Sequence, residues 1–143
     1  MKKLFVSVPM KGRTKEAIKN SIECMHKIAE IAFGEELELI DSYIEDTPPE
    51  NIKLSIWYLG KSIELLSQAD YFIGINDLHY PGCQAEFFVA KNYGIKFLVL
   101  DTFQYEFFKD IYYRYGECEP IKGCWVWLIT EDDVWQKLNW WAL

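Results

Sequence analysis

Tyr71-Phe72-Ile73-Gly74-Ile75 runs directly into Asn76-Asp77-Leu78-His79-Tyr80-Pro81-Gly82-Cys83-Gln84-Ala85-Glu86, and the apolar spacing then continues to Asn92. The first five residues are a short aromatic and β-branched run, the signature of a buried strand. A polar loop with a Pro-Gly pair follows, and the pattern from Gly82 to Asn92 predicts a helix. Strand, loop and helix in this order form half of a βαβ unit, so the fold depends on whether the pattern repeats on either side.

It repeats upstream. Lys3 to Val8 is an apolar run with Val6 and Val8, stopped by Pro9 and the turn-forming Gly12. From Thr14, a good N-cap, apolar residues recur at Ala17, Ile18, Ile22, Met25, Ile28, Ala29 and Ala32, which predicts an amphipathic helix ending at Gly34. Leu37 to Ile40 is the second strand, Pro48-Pro49 interrupts regular structure, and a helix follows from about Glu50 or Ile52 to Gln68.

It repeats downstream as well, with strands at Ile95 to Leu100 and Trp125 to Ile129 and helical patterns at Phe103 to Tyr115 and Glu131 to about Leu138. Five strands alternating with helices predict an α/β, flavodoxin-like three-layer sandwich with a five-stranded parallel sheet of order 2-1-3-4-5. Ligands bind such sheets beyond the carboxyl ends of the strands, where the strand order reverses. That places the crevice between the first and third strands, bordered by Pro9 to Arg13 and Asn76 to Gly82.

The chain has 143 residues, half of them apolar, enough for one well-filled core, and no repeat or flexible linker divides it; residues 1–143 are expected to form a single domain. A net charge of −7 argues against binding a nucleic-acid polymer, which requires a concentrated excess of Lys and Arg. Leu4 to Met10 is too short and too interrupted for a signal core or a membrane span, so a cytoplasmic protein without a membrane partner is expected. Cys24, Cys83, Cys118 and Cys124 form no CxxC pair, and His26 and His79 are the two histidines, so no metal site and no cofactor is implied and reduced thiols are expected.

Several residues at the strand ends carry chemical potential. Glu86 falls near the start of its helix, where the partial positive charge of the N-terminus favours an ionised carboxylate suited to act as nucleophile or to accept a sugar hydroxyl. A first-turn Glu that merely complements the helix dipole is the alternative. Ser7, Lys11, Gly12 and Arg13 follow the first strand, where loop amides and a helix N-terminus form a natural anion site and two cations could hold a phosphate. A solvated basic loop would look the same. Asp41, Ser42 and Tyr43 follow the second strand, and Trp57 and Tyr58 follow the double proline; these could converge on a base or sugar, or Trp57 could simply fill the core. Gly60-Lys61-Ser62 is not a P-loop, because the required earlier glycine position holds Ser55 and the segment lies within a helical pattern.

Gly82-Cys83-Gln84-Ala85-Glu86, followed by Ala90 and Tyr93-Gly94-Ile95-Lys96, resembles the Gly-x-x-x-Glu helix of the nucleoside 2-deoxyribosyltransferase-like superfamily. Phe5-Val6-Ser7-Val8-Pro9-Met10-Lys11-Gly12-Arg13, together with Ile40-Asp41-Ser42-Tyr43 and Trp57-Tyr58-Leu59-Gly60-Lys61-Ser62, is similar to a small branch of it. The resemblance covers roughly the first hundred residues. It implies that Glu86 attacks the anomeric carbon of a (deoxy)nucleoside, expels the base and forms a glycosyl-enzyme that a second base or water resolves; a phosphate held by Lys11 and Arg13 would make the substrate a nucleoside 5′-monophosphate and favour hydrolysis. It also implies Asp77 as the acid for the leaving base. Around this pair, the strand-end loops and the helix that carries Glu86 give Ser7, Pro9, Met10, Lys11, Gly12, Arg13, Asp41, Ser42, Tyr43, Trp57, Tyr58, Gly82 and Cys83 as the expected substrate-binding set.

A non-catalytic protein that senses or sequesters a nucleotide is the second reading, since Asp77 lies well back from Gly82. A flavin carrier would also suit the fold, but the first loop lacks the hydroxyl run that wraps a flavin phosphate. The last third of the chain, with residues such as Phe107, Tyr112, Trp127 and Trp140, carries more aromatic surface than one thin layer buries, and a homodimer or larger assembly is expected, with a lid over the crevice as the alternative.

Overall fold

In the computed structural model, alternation along β1 (Lys2–Val6) and its continuation assigns the two faces of the sheet. The structure describes residues 1–75, 79–100, 125–129 and 135–139. Leu4, Val6 and Val8 point to one side, where they join Ile18, Ile22, Met25, Ile28 and Ala29 of α1 (Lys15–Phe33). Phe5 points to the other and joins Phe72, Leu66, Phe87, Ala90 and Phe97. A period of two along a strand requires this division.

The chain continues through β2 (Leu37–Leu39), α2 (Leu54–Leu66), β3 (Tyr71–Ile75), α3 (Pro81–Asn92) and β4 (Lys96–Leu100). β2, β1, β3 and β4 lie side by side in that order and every neighbouring pair is parallel, an α/β arrangement consistent with a flavodoxin-like fold. The order reverses between β1 and β3, as expected from the sequence.

The expected fifth parallel strand is corrected. β5 (Trp125–Ile129) takes the fifth place but runs antiparallel to β4, and β6 (Trp135–Asn139) pairs antiparallel with β5. A five-residue apolar run carries no information about its own direction, and the spacing between the two strands suits a hairpin. From Trp135 on, the helix expected at Glu131 to Leu138 gives way to a strand; so short a window is too brief for periodicity to separate the two. The helix expected at Phe103 to Tyr115 lies outside the described residues.

Local chemistry explains the helix ends. Thr14 caps α1 by accepting from the amide of Ala17 at 3.1 Å, and Gly34 ends it in the left-handed conformation at φ 73°. On α3, Cys83, Glu86, Phe87 and Ala90 are buried, spaced three and four residues apart along one stripe. Phe87 sets the depth of that stripe: its ring meets Phe97 edge-on at 5.3 Å and Phe72 at 6.5 Å. Glu86 is carried inward beside it.

Gly74 in β3 faces the α3 side, two residues beyond Phe72. A Cβ at Gly74 would stand 2.7 Å from the Phe72 ring and 3.2 Å from the Cβ of Ser7. The ring is fully buried and has nowhere to swing. Gly74→Ala is expected to lower folding stability by about 1–3 kcal/mol through overpacking, read as a drop in urea midpoint at unchanged slope.

Candidate active site

Ser7 lies one residue past the end of β1 and extends the ladder to β3, its amide donating to the carbonyl of Ile73 at 2.9 Å. By alternation it faces the same side as Phe5, toward α3. Its side chain is 1% exposed, and its hydroxyl donates to Oε1 of Glu86 at 3.4 Å. Residues distant in sequence thus meet at the carboxyl ends of β1 and β3, where the strand order reverses.

Glu86 is the sixth residue of α3, in its second turn, and no acidic residue occupies the first turn. This corrects the expectation that the helix N-terminus keeps the carboxylate ionised. Glu86 is 9% exposed, and burial pushes its pKa up to about 8, with the hydrogen bond from Ser7 opposing the shift. The carboxyl group is therefore mostly protonated at neutral pH.

Cys83 lies one turn earlier on the same stripe. Burial pushes its thiol up to about 12; the hydrogen bond with Ser7 and the field of Arg13 pull down, while Glu86 pushes up. Cys83 is a free thiol, whereas Cys24 is disulfide-bonded, contrary to the expectation of reduced thiols throughout.

The loop after β1 is organised by Arg13. Its guanidinium donates to the carbonyl of Pro9 at 2.7 Å, to the carbonyl of Ala17 at 3.1 Å and to the hydroxyl of buried Ser21. A turn with the Arg13 amide on Met10 carbonyl at 3.2 Å closes the loop, and Met10 packs on the α1 core. Lys11 and Gly12 are exposed at its tip. Ser21 was invisible as a site residue in the sequence, although its spacing of two turns from Arg13 was there to be used.

The remaining candidates separate into two groups. Ser42 is buried beside β1, its hydroxyl 3.5 Å from the carbonyl of Val6, and so approaches the same strand end. Asp41 and Tyr43 lie further out, where the Tyr43 amide donates to Asp41 and Lys15 sits 5.0 Å over the Tyr43 ring. They help line a surface depression of about 470 Å³ that also includes Glu45, Asp46, Lys61 and Glu64. Trp57 and Tyr58 meet edge to face at 5.0 Å on α2, with Lys61 over the Trp57 ring. Gly82 is exposed in the first turn of α3. Asp77, with Asn76 and Leu78, lies outside the described residues. A second depression, about 730 Å³ between α2 and α3, borders Tyr93 and Ile95 and does not include Glu86.

Among the described residues no group of His, Cys, Asp and Glu could hold a metal ion, and no helix is long and apolar enough to cross a membrane. No family profile, curated protein or solved structure matches the chain.

The raised carboxyl has a thermodynamic consequence. Below about pH 4.5 folded and unfolded chains both hold the Glu86 proton and its contribution is fully present; between there and about pH 8 only the folded chain holds it, so stability falls as pH rises. At about 1.4 kcal/mol per pKa unit, wild type is expected to lose about 3 kcal/mol more than Glu86→Gln between pH 5 and pH 8. Urea unfolding of both proteins across that range checks this, and parallel pH curves would contradict it.

Proposed function

We propose that the chain is a flavodoxin-like, nucleoside 2-deoxyribosyltransferase-like enzyme that cleaves or transfers the N-glycosidic bond of a nucleoside, with Glu86 as nucleophile. One observation carries the reading: a nearly buried carboxyl, hydrogen-bonded to Ser7, at the strand ends where the sheet order reverses. A carboxyl in such a place costs stability and has no packing role that a Leu or Met would not fill better.

In this reaction the ionised carboxylate attacks the anomeric carbon as the bond to the base breaks, through an oxocarbenium-like transition state. The base leaves with a proton from an acid, the role that the resemblance gives to Asp77. Water or a second base then attacks the same carbon and releases Glu86. Ser42, its hydroxyl on the carbonyl of Val6, lies at the end of β1, and Cys83 lies one turn before Glu86 on α3.

A nucleoside suits the site better than its 5′-monophosphate. The Arg13 fork binds Pro9, Ala17 and Ser21, Thr14 occupies the amide of Ala17, and Glu16 places a negative charge in the first turn of α1. An incoming phosphate meets a carboxylate there, and of the exposed cations Lys15 is paired with Glu45 while Lys11 stands at the loop tip. Self-association belongs to the same reading, supported by Leu54, Ile56 and Tyr58 exposed on α2 and Phe88 exposed on α3.

The neutral resting state of Glu86 favours a second reading, in which the protein binds a nucleoside or nucleotide without turnover and the carboxyl donates a hydrogen bond to it. Chromatography of a panel of nucleosides and monophosphates, with and without added free base, separates the two. Turnover by wild type is expected, with loss of about 1000-fold or more in Glu86→Ala and Glu86→Gln. Since the nucleophile must be ionised, kcat/KM is expected to rise with pH through about 8. Binding without turnover, at any pH, would favour the second reading.

A further inference from the structure

We propose that Ser7 is the positioning residue for Glu86, its hydroxyl holding Oε1 of the carboxyl against the end of β1. The inference deepens the reading of Glu86 as the reacting group and rests on it.

The geometry that places Ser7 is rigid. Its amide is tied to Ile73 at 2.9 Å, its side chain is 1% exposed, and its Cβ lies over Gly74, where an added Cβ would come within 3.2 Å. Glu86 is fixed from the other side by Phe87, whose ring is wedged between Phe72 and Phe97. The 3.4 Å bond therefore joins two frames, the sheet and α3, each anchored independently. A surface serine would lose its bond to water; this one has little room to exchange partners.

A hydroxyl has one proton to give and two lone pairs. When Glu86 is ionised, Ser7 donates to Oε1. When Glu86 is protonated, its own O–H can donate to Ser7. Both states keep carboxyl and hydroxyl bonded, and the bond to the anion is the stronger, so the carboxyl can change protonation without Ser7 being orphaned. Among the described residues, the groups facing Glu86 are Ser7 from the extension of β1 and Cys83 from its own helix; Arg13, from the loop, acts through its field on Cys83. No charged group of β3, β4 or α2 contributes to the Glu86 shift among the described residues.

The test is titration of the Glu86 carboxyl carbon by NMR in wild type, Ser7→Ala and Ser7→Cys. The second variant preserves size with a far weaker donor and serves if the alanine variant does not fold. Removing the donor is expected to move the midpoint upward by about half a pH unit or more, because the bond favours the ionised form. Under turnover, kcat at pH 7 is expected to fall about threefold or more at similar KM, with the pH profile displaced to match. A midpoint within 0.1 unit of wild type, by an about tenth-unit NMR precision, overturns the role of Ser7 even if turnover is lost. Absence of nucleoside turnover in wild type, with the midpoint displaced in the variants, overturns the proposed reaction and leaves Ser7 as the group that positions the carboxyl.

Discussion

A carboxyl group buried beside a single serine hydroxyl is the constraint around which this end of the molecule is arranged. Alternation along β1 commits Leu4, Val6 and Val8 to the α1 core, which forces Ser7 to the opposite side with Phe5. The stripe on α3 that buries Phe87 and Ala90 carries Glu86 inward by the same helical arithmetic. Neither position is free to move: shifting Ser7 by one residue would exchange the faces of the strand, and rotating α3 would withdraw Phe87 from between Phe72 and Phe97. The polar contact is thus held by apolar packing on both sides, which is how a bond as long as 3.4 Å stays in place.

The surroundings accommodate that contact. Gly74 leaves the neighbouring position on β3 without a side chain, and the Phe72 ring fills the space a larger residue would need. Arg13 draws the loop after β1 down onto α1 through Pro9, Ala17 and Ser21, so the first loop is braced against the helix that follows it. Its charge is turned toward a loop carbonyl, a helix carbonyl and a hydroxyl, where it serves the loop's shape. The same side chain that suggests a phosphate site in the sequence also fastens the loop in the folded chain.

Much of this was legible in the sequence because it depends on periodicity. The four parallel strands, their order and the three helices follow from apolar spacing and from Thr14, Pro81 and Gly34 as boundary residues. The direction of Trp125–Ile129 did not follow, since an apolar run reads the same either way, and the strand at Trp135–Asn139 was hidden by the acidic residues before it, which mimic a helix start. At the site, Glu86 was legible as a residue but its environment was not. The expected helix start at Gly82 and the observed one at Pro81 differ by a single residue; what the pattern did not reveal is that the stripe of Cys83, Phe87 and Ala90 carries Glu86 inward, where burial outweighs the helix dipole. Ser7 was visible as a loop residue near the crevice; its pairing with Glu86 needed the facing of β1 and α3 to be combined.

Three groups meet at this point, and their titration separates their possible roles. Ser7 does not ionise, and the Cys83 thiol, pushed up to about 12, stays protonated at any pH the fold would meet. Glu86, at about 8, alone of the three crosses between forms near neutrality. A thiol this buried beside a carboxyl repels the charge it would need as a nucleophile, while the carboxyl receives from Ser7 a hydrogen bond that favours its anion. The same burial that raises both groups therefore leaves the carboxyl usable and silences the sulfur. It also makes the anion, once formed, poorly solvated and correspondingly reactive toward a developing positive charge such as an oxocarbenium carbon.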